Sequence, residues 1–322
     1  MMLAYNPIAI QIGSFQVAWY ALCILTGVII AVIMAVREAR KLGIHPNIIY
    51  DGVLYILPLS IIGARLYFVL FDSFTNGSYY NWNILKMIGF TFSQGKITGF
   101  QLEGLAIHGG IIVAFISVLV YCKIKKVNIW HILDLVAPGF LIGQICGRWG
   151  NFMNQELYGA SVDNLNWLPS FISEQMYING SYRQPLFLYE ILWNLTALIV
   201  ILILRRKKVL RIGDIAGIYL VWYGIGRAFL EPLRDPIFIM TNGSNQMQSV
   251  ITSILLIIVG IIFIVVKYIK FRNLPYYVDT FVSKEEYVEN KAILKIKEWI
   301  NSKKKNKTLD NEGDSNGKDD SI

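Results

Sequence analysis

The sequence predicts an all-α, polytopic membrane protein with about seven transmembrane helices, its N-terminus outside and its C-terminus cytoplasmic. Three observations carry this. Of the 322 residues, 55% are hydrophobic and only 16% are charged, against about 25% charged in soluble domains. Apolar runs approaching the roughly 20 residues that a membrane helix needs recur along the chain. Basic residues collect at alternate ends of those runs, as the positive-inside rule requires. The formal net charge of +8 is therefore read as topology and contact with the lipid bilayer, with no nucleic acid as partner.

The runs, in order, are Val17–Val36, Val53–Phe71, Leu105–Cys122, Ile129–Cys146, Pro185–Leu204, Ile212–Leu230 and Val250–Val266. The first and last contain no charge. The second holds Pro58 and Arg65, and the third has His108 near its start. The fourth is the weakest, interrupted by His131, Asp134 and Pro138. The fifth contains Glu190, and the sixth Asp214 and Arg227. With the N-terminus outside, the inner segments carry 14 basic residues, among them Arg37, Lys41, Arg205, Arg206 and Lys267, against five in the outer ones, Lys86, Lys96, Arg148, Arg183 and Arg234. The outer loops, about Asp72–Gly104 and Arg148–Gln184, are the long ones, and the first is rich in Tyr, Trp and Phe. Function is expected on that side.

No basic residue precedes the first run, so no signal peptide is expected. Cys23, Cys122 and Cys146 lie in or at the ends of apolar runs without paired spacing, which indicates neither a disulfide framework nor a metal site. A thiol in apolar surroundings is also a poor nucleophile. Residues 1–272 form the membrane domain, and 273–322 a charged cytoplasmic tail. Within it, Lys284–Lys307 repeats apolar residues at roughly helical spacing. An amphipathic helix on the inner leaflet and a solvated tail both fit. Asn306–Ile322 is polar, lacks aromatics and reads as disordered.

The most informative stretch is Gly147-Arg148-Trp149-Gly150-Asn151-Phe152-Met153-Asn154-Gln155-Glu156-Leu157-Tyr158-Gly159. An arginine near hydrocarbon costs about 2.5–3.5 kcal/mol on insertion scales unless something pairs with it. Glycines allow close approach of another group. The stretch reads as a polar pocket at a membrane boundary, in preference to an ordinary positively flanked loop.

Arg227, Glu231 and Arg234 stand at i, i+4 and i+7, one face of a helix, although Pro232 can kink it. Two arginines and a carboxylate suit a phosphate clamp, because the planar guanidinium donates to two phosphate oxygens at once. The alternative is a helix-terminal salt bridge. For Arg65, an anion partner and a structural pair with Glu190 are both open. For His108, followed by Gly109 and Gly110, catalysis in a space opened by the glycines and a hydrogen-bonded structural role stand level. Tyr20, Glu190, Gln246 and Ser249 are further polar groups near the outer helix ends.

These residues resemble the bacterial prolipoprotein diacylglyceryl transferases. Gly147–Gly159 matches that family's signature, Gly-Arg-x-Gly-Asn-Phe-x-Asn-x-Glu-x-x-Gly, at every fixed position. Ile107-His108-Gly109-Gly110 is similar to its His-Gly-Gly element. Tyr223-Gly224 with Arg227, Glu231, Arg234 and Pro236 is similar to its late segment, with Asp235 inserted before the proline. The resemblance spans about residues 15–268. It implies transfer of a diacylglyceryl group from phosphatidylglycerol to the lipobox cysteine of a preprolipoprotein, giving a thioether and glycerol-1-phosphate, with no cofactor and no metal.

On that resemblance Arg148 and Arg227 bind the phosphate with help from Arg234, while Asn151, Asn154 and Gly159 shape the head-group pocket. His108 is the expected base, and Tyr20 positions lipid or acts through its hydroxyl. Glu156 and Glu231 orient the arginines. Two other classes stand beside this: another phosphatidylglycerol-using transferase, and an anion transporter. The second is disfavoured because the two halves of the chain are unrelated.

Overall fold

The structure is a computed structural model that describes residues 5–13, 15–75, 90–93, 96–100, 106–238 and 244–283. The long helices are α1 Trp19–Lys41, α2 Pro46–Thr75, α3 Ile107–Lys125 and α4 Ile129–Met153, followed after a short helix α5, Ser170–Gln175, by α6 Leu186–Leu204, α7 Asp214–Leu230 and α8 Ser244–Lys270. Six helices among the described residues are long and apolar enough to cross a membrane: α1 to α4, α6 and α8. The remaining predicted span is present as α7, 17 residues long. It starts at Gly213, whose φ of +89° breaks the preceding turn, and ends where Pro232 lacks the amide donor to continue.

The helices are longer than their apolar runs. α1 continues past Val36 to Lys41, and α4 past Cys146 to Met153. Helix geometry therefore carries the first half of the signature, including Arg148 and Asn151. Leu25, Leu54 and Ile111 are 55%, 65% and 60% exposed, an apolar exterior that only hydrocarbon stabilises.

α1 packs along α4, α2 along α3, α7 along α8, and α6 against α4. The α2–α3 pair is close because both partners are glycine at the crossing. A methyl group on Gly109 would stand 2.2 Å from Tyr67 Cβ and 2.4 Å from the Gly63 carbonyl oxygen. Gly109 thus closes a helix crossing, whereas the sequence reading has it opening space beside His108. Gly109→Ala should lower stability by about 1–3 kcal/mol through overpacking, read as an earlier thermal transition in detergent; an unshifted transition would mean that the crossing yields freely.

Asp134, the least span-like feature of α4, is 1% exposed. It accepts from the amides of Gly213 at 2.6 Å and Ala216 at 3.0 Å. It therefore caps α7 from a neighbouring helix and satisfies donors that every helix start leaves unpaired.

Small antiparallel strands decorate the end where α4 stops. β1 Ile8–Ile12 pairs with β2 Phe15–Ala18, and β3 Phe90–Ser93 with β4 Lys96–Phe100. β5 Ser161–Val162 and β6 Tyr177–Ile178 flank β7 Ser181–Arg183. Phe152, Tyr158, Ile172, Met176 and Phe187 form a core under these strands.

A second core, with Leu141, Ile201 and Ile215 fully buried, lies toward the basic end. The segment drawn as tail from residue 273 stays on that end as far as Ser283: Tyr277 is fully buried, its amide donating to Leu210 O at 2.7 Å. Lys284–Ile322, including the amphipathic stretch, most of the Asp72–Gly104 loop, and the side chains of Gln246 and Ser249 lie outside the described residues.

Candidate active site

The site forms where the ends of α4, α6 and α7 meet. Arg148, on the penultimate turn of α4, places Nε 2.5 Å from Glu190 Oε2 and donates from Nη1 to Asn151 Oδ1 at 2.8 Å. Glu190, near the start of α6, also receives Arg234 at 3.4 Å. Arg234 reaches Glu231 Oε1 at 3.2 Å, and Glu231 Oε2 lies 2.6 Å from Arg227. The result is one continuous chain, Arg148–Glu190–Arg234–Glu231–Arg227, in which three cations share two anions.

The predicted helical face through residue 234 is only partly realised. Arg227 and Glu231 pair at i, i+4 as expected, but α7 ends at Leu230, Glu231–Leu233 is a 3-10 turn and Arg234 is extended. Arg234 meets Glu231 across that turn, and its backbone bridges to Gly159. The signature loop and the late arginine segment are thereby tied together. Asp235 N donates to Tyr158 O at 3.0 Å, and Arg183 pairs with Asp235 at 2.7 Å.

The arginines differ in access. Arg234 is 9% exposed, Arg148 17% and Arg227 23%. Burial, then the neighbouring Arg227, pulls the Arg234 guanidinium below its ordinary value, against the opposing pull of Glu190 and Glu231. Arg234 Nε has no hydrogen-bond partner among the described residues. Arg148 and Arg227 thus face outward with Arg234 behind them.

The signature is helical to Met153 and then turns sharply. Gln155 and Leu157 adopt φ of +53° and +55°, a left-handed conformation that costs side-chain-bearing residues about 1–3 kcal/mol unless the surroundings fix it. Gln175 braces the turn around Gln155, and nothing in the sequence marked it. It is 1% exposed and donates to the Phe152 and Met153 carbonyls at 3.2 and 3.1 Å, while its own carbonyl accepts from Gln155 Nε2 at 2.8 Å. The tryptophan pair of α6 and α7 was equally hidden: Trp193 and Trp222 stack 4.5 Å apart and each indole donates to the other's carbonyl at 3.2 Å. That pair ties α6, which carries Glu190, to α7, which carries Arg227.

Tyr20 joins the site through Gly150, where a Cβ would fall 2.6 Å from the Tyr20 ring. Asn151 is buried and bonded to Arg148; Asn154 donates to Glu156 Oε1 at 3.0 Å. Glu156, expected to orient an arginine, is exposed and bonded to that amide instead, because the left-handed turn at Gln155 carries it away from the network. Arg65 is buried with its guanidinium 5.7 Å from the Phe68 ring. Glu190, weighed as its partner, is bonded to Arg148 and Arg234. His108 sits at the start of α3, exposed, 6.3 Å from the Tyr67 ring; among the described residues it makes no hydrogen bond or ion pair with the arginine network. No cluster of His, Cys, Asp and Glu among the described residues is arranged to hold a metal.

Chemically, with three cations on two carboxylates, the arrangement has the charge to receive an anion. Its cations are held in place before any ligand arrives, so little reorganisation accompanies charge development. The family model for prolipoprotein diacylglyceryl transferase matches residues 7–266. Proteins named phosphatidylglycerol–prolipoprotein diacylglyceryl transferase from Streptococcus pneumoniae strains JJA and Hungary19A-6 and from serotype 4 strain TIGR4 are each 45% identical over 275 residues, covering 85% of this chain and 97% of the relative. Matched over most of its length and carrying the signature in a formed arginine site, this chain belongs to the prolipoprotein diacylglyceryl transferase family.

Proposed function

We propose that this multi-pass membrane protein transfers the diacylglyceryl group of phosphatidylglycerol to the lipobox cysteine of a preprolipoprotein. The observation that carries this reading is the alternating arginine–carboxylate chain with its one surplus positive charge. The relatives' shared name supplies the two substrates. In the reaction, the thiol sulfur bonds to the glyceryl carbon as the carbon–oxygen bond to phosphate breaks. The electron pair leaves with glycerol-1-phosphate, and the thiol proton goes to a base. Arg148 and Arg227 hold the phosphate, whose charge grows as it departs; Arg234 holds the two carboxylates that aim them. Asn151, Asn154 and Gly159 shape the head-group pocket, and Tyr20 flanks it.

The deciding assay combines purified protein, phosphatidylglycerol and a lipobox peptide bearing Cys or Ser, followed by mass spectrometry. A diacylglyceryl adduct on the Cys peptide alone is expected. An adduct on the Ser peptide alone would point to a hydroxyl-using transferase.

His108 is the proposed base. His108→Gln should keep phosphatidylglycerol binding and lose thiol transfer at pH 7, with partial recovery near pH 9, where a thiol of pKa about 8.5 ionises unaided. A wild-type rate at neutral pH would move the role to Tyr20.

The site faces the outer leaflet in this reading, with α7 as the seventh span. A reporter active only outside the membrane should be silent when fused after Ile322 and active near Asn242; the opposite pattern would put the site on the cytoplasmic side.

A further inference from the structure

A second polar cluster lies at the other end of the bundle, and transfer makes no use of it. Glu38, 2% exposed near the end of α1, is its centre. Glu38 Oε2 receives Arg206 at 2.6 Å, Lys41 at 3.6 Å and Arg205 at 3.8 Å. The hydroxyl of Tyr277 donates to its other oxygen at 3.4 Å. Arg37 lines the same cleft, about 350 Å³ in volume. Three basic side chains thus gather on one carboxylate, with Arg37 beside them in the cleft.

Arg205 is the poorly satisfied member. It is 8% exposed, yet its Nε has no hydrogen-bond partner among the described residues. Its distance to Glu38 is beyond hydrogen-bond reach. Burial holds its guanidinium below the ordinary value, with Glu38 opposing and Arg206 adding to the shift. A buried donor left unmet costs about 1–3 kcal/mol; Arg205 borders the cleft, and a phosphate there would meet its guanidinium with the planar geometry that group favours.

The part of the cleft further along α1 from its charged end is apolar. Ile30, Ile33 and Met34 of α1 line it, with Ile30 and Ile33 45% and 46% exposed inside the membrane-crossing helix. A charged mouth above a hydrocarbon-facing wall is the profile of an amphiphile site between membrane helices. Arg205 also follows Glu190 by 15 residues along α6 and its end, about 22 Å at helical rise. A lipid held here sits in the leaflet opposite the arginine network.

We infer that this cleft binds one anionic phospholipid of that opposite leaflet, its phosphate on Arg205, Arg37 and Lys41 and an acyl chain along Ile30, Ile33 and Met34. Native mass spectrometry tests this on the full chain released from micelles doped with dioleoyl phosphatidylserine. A retained adduct is expected, absent with dioleoyl phosphatidylcholine at the same concentration. Arg37→Gln with Lys41→Gln, both at exposed positions, should lower its occupancy at least fivefold, and Arg148→Gln should leave it unchanged. Equal occupancy in the double variant, or equal retention of phosphatidylcholine, would overturn the inference. So would loss of the adduct in Arg148→Gln, which would place the lipid in the active site. Displacement by an equimolar amount of inorganic phosphate would assign the cleft to a free anion and equally overturn it.

Discussion

Arg148→Ala is expected to abolish measurable transfer while the protein inserts and purifies normally. Arg148 combines the contacts that make a leaving-group holder: Nε on Glu190 at 2.5 Å, Nη1 on Asn151 at 2.8 Å, and partial exposure for the remaining donors. Hydrogen bonds to charged groups contribute roughly 1.5–3 kcal/mol each. Loss of two to a departing phosphate slows the reaction by at least about a hundredfold, since about 1.4 kcal/mol is tenfold. Arg148→Lys keeps the charge but loses the fork that reaches Glu190, Asn151 and phosphate together. It should lose about ten- to a hundredfold. Initial rates on a lipobox peptide at saturating lipid measure both. Normal turnover by the alanine variant would end the phosphate-holding role.

Glu190→Ala is the second large expectation, and it separates scaffold from chemistry. Glu190 is 7% exposed and neutralises Arg148 and Arg234 together. Its removal leaves two nearby cations in a buried setting, with Arg234 already disfavoured by burial and by Arg227. Breaking such a pair typically costs 3–5 kcal/mol, a drop of roughly 10 °C in thermal midpoint for a domain this size. Activity should fall further than stability, because Arg148 loses its aim. The Trp193–Trp222 lock holds α6 and α7 together independently of the charges, so the fold should survive for measurement. If both midpoint and rate stay at wild-type values, Glu190 is a bystander.

The candidate site was legible in part. Arg148, Asn151, Arg227, Glu231 and Arg234 do come together, and a sequence reading could nominate them because arginines and amides at hydrocarbon boundaries are costly unless used. Their wiring was not legible. Sequence spacing allows Glu190 as a partner for Arg65, yet it serves Arg148 and Arg234. Glu156, which the resemblance assigns to the arginines, instead accepts from Asn154. Gln175 and the two tryptophans gave no signal, since a buried amide or indole earns its role only from the backbone groups brought to it. Asp134 weakens the hydropathy of α4, and its role shows only in its partners, two amides some 80 residues on.

The division follows from the range of the forces. Hydropathy is a property of consecutive residues, because each stretch of a membrane helix meets hydrocarbon on its own. The sequence alone therefore determined the all-α membrane class, the approximate spans and the motif that marks the site. Charge pairing and glycine contacts depend on which helices become neighbours and how they are turned. Only the tertiary structure could decide that Arg234 reaches Glu190 on another helix, that Gly109 closes the α2–α3 crossing, and that the basic end gathers around one buried carboxylate, because each joins residues that the chain itself keeps far apart.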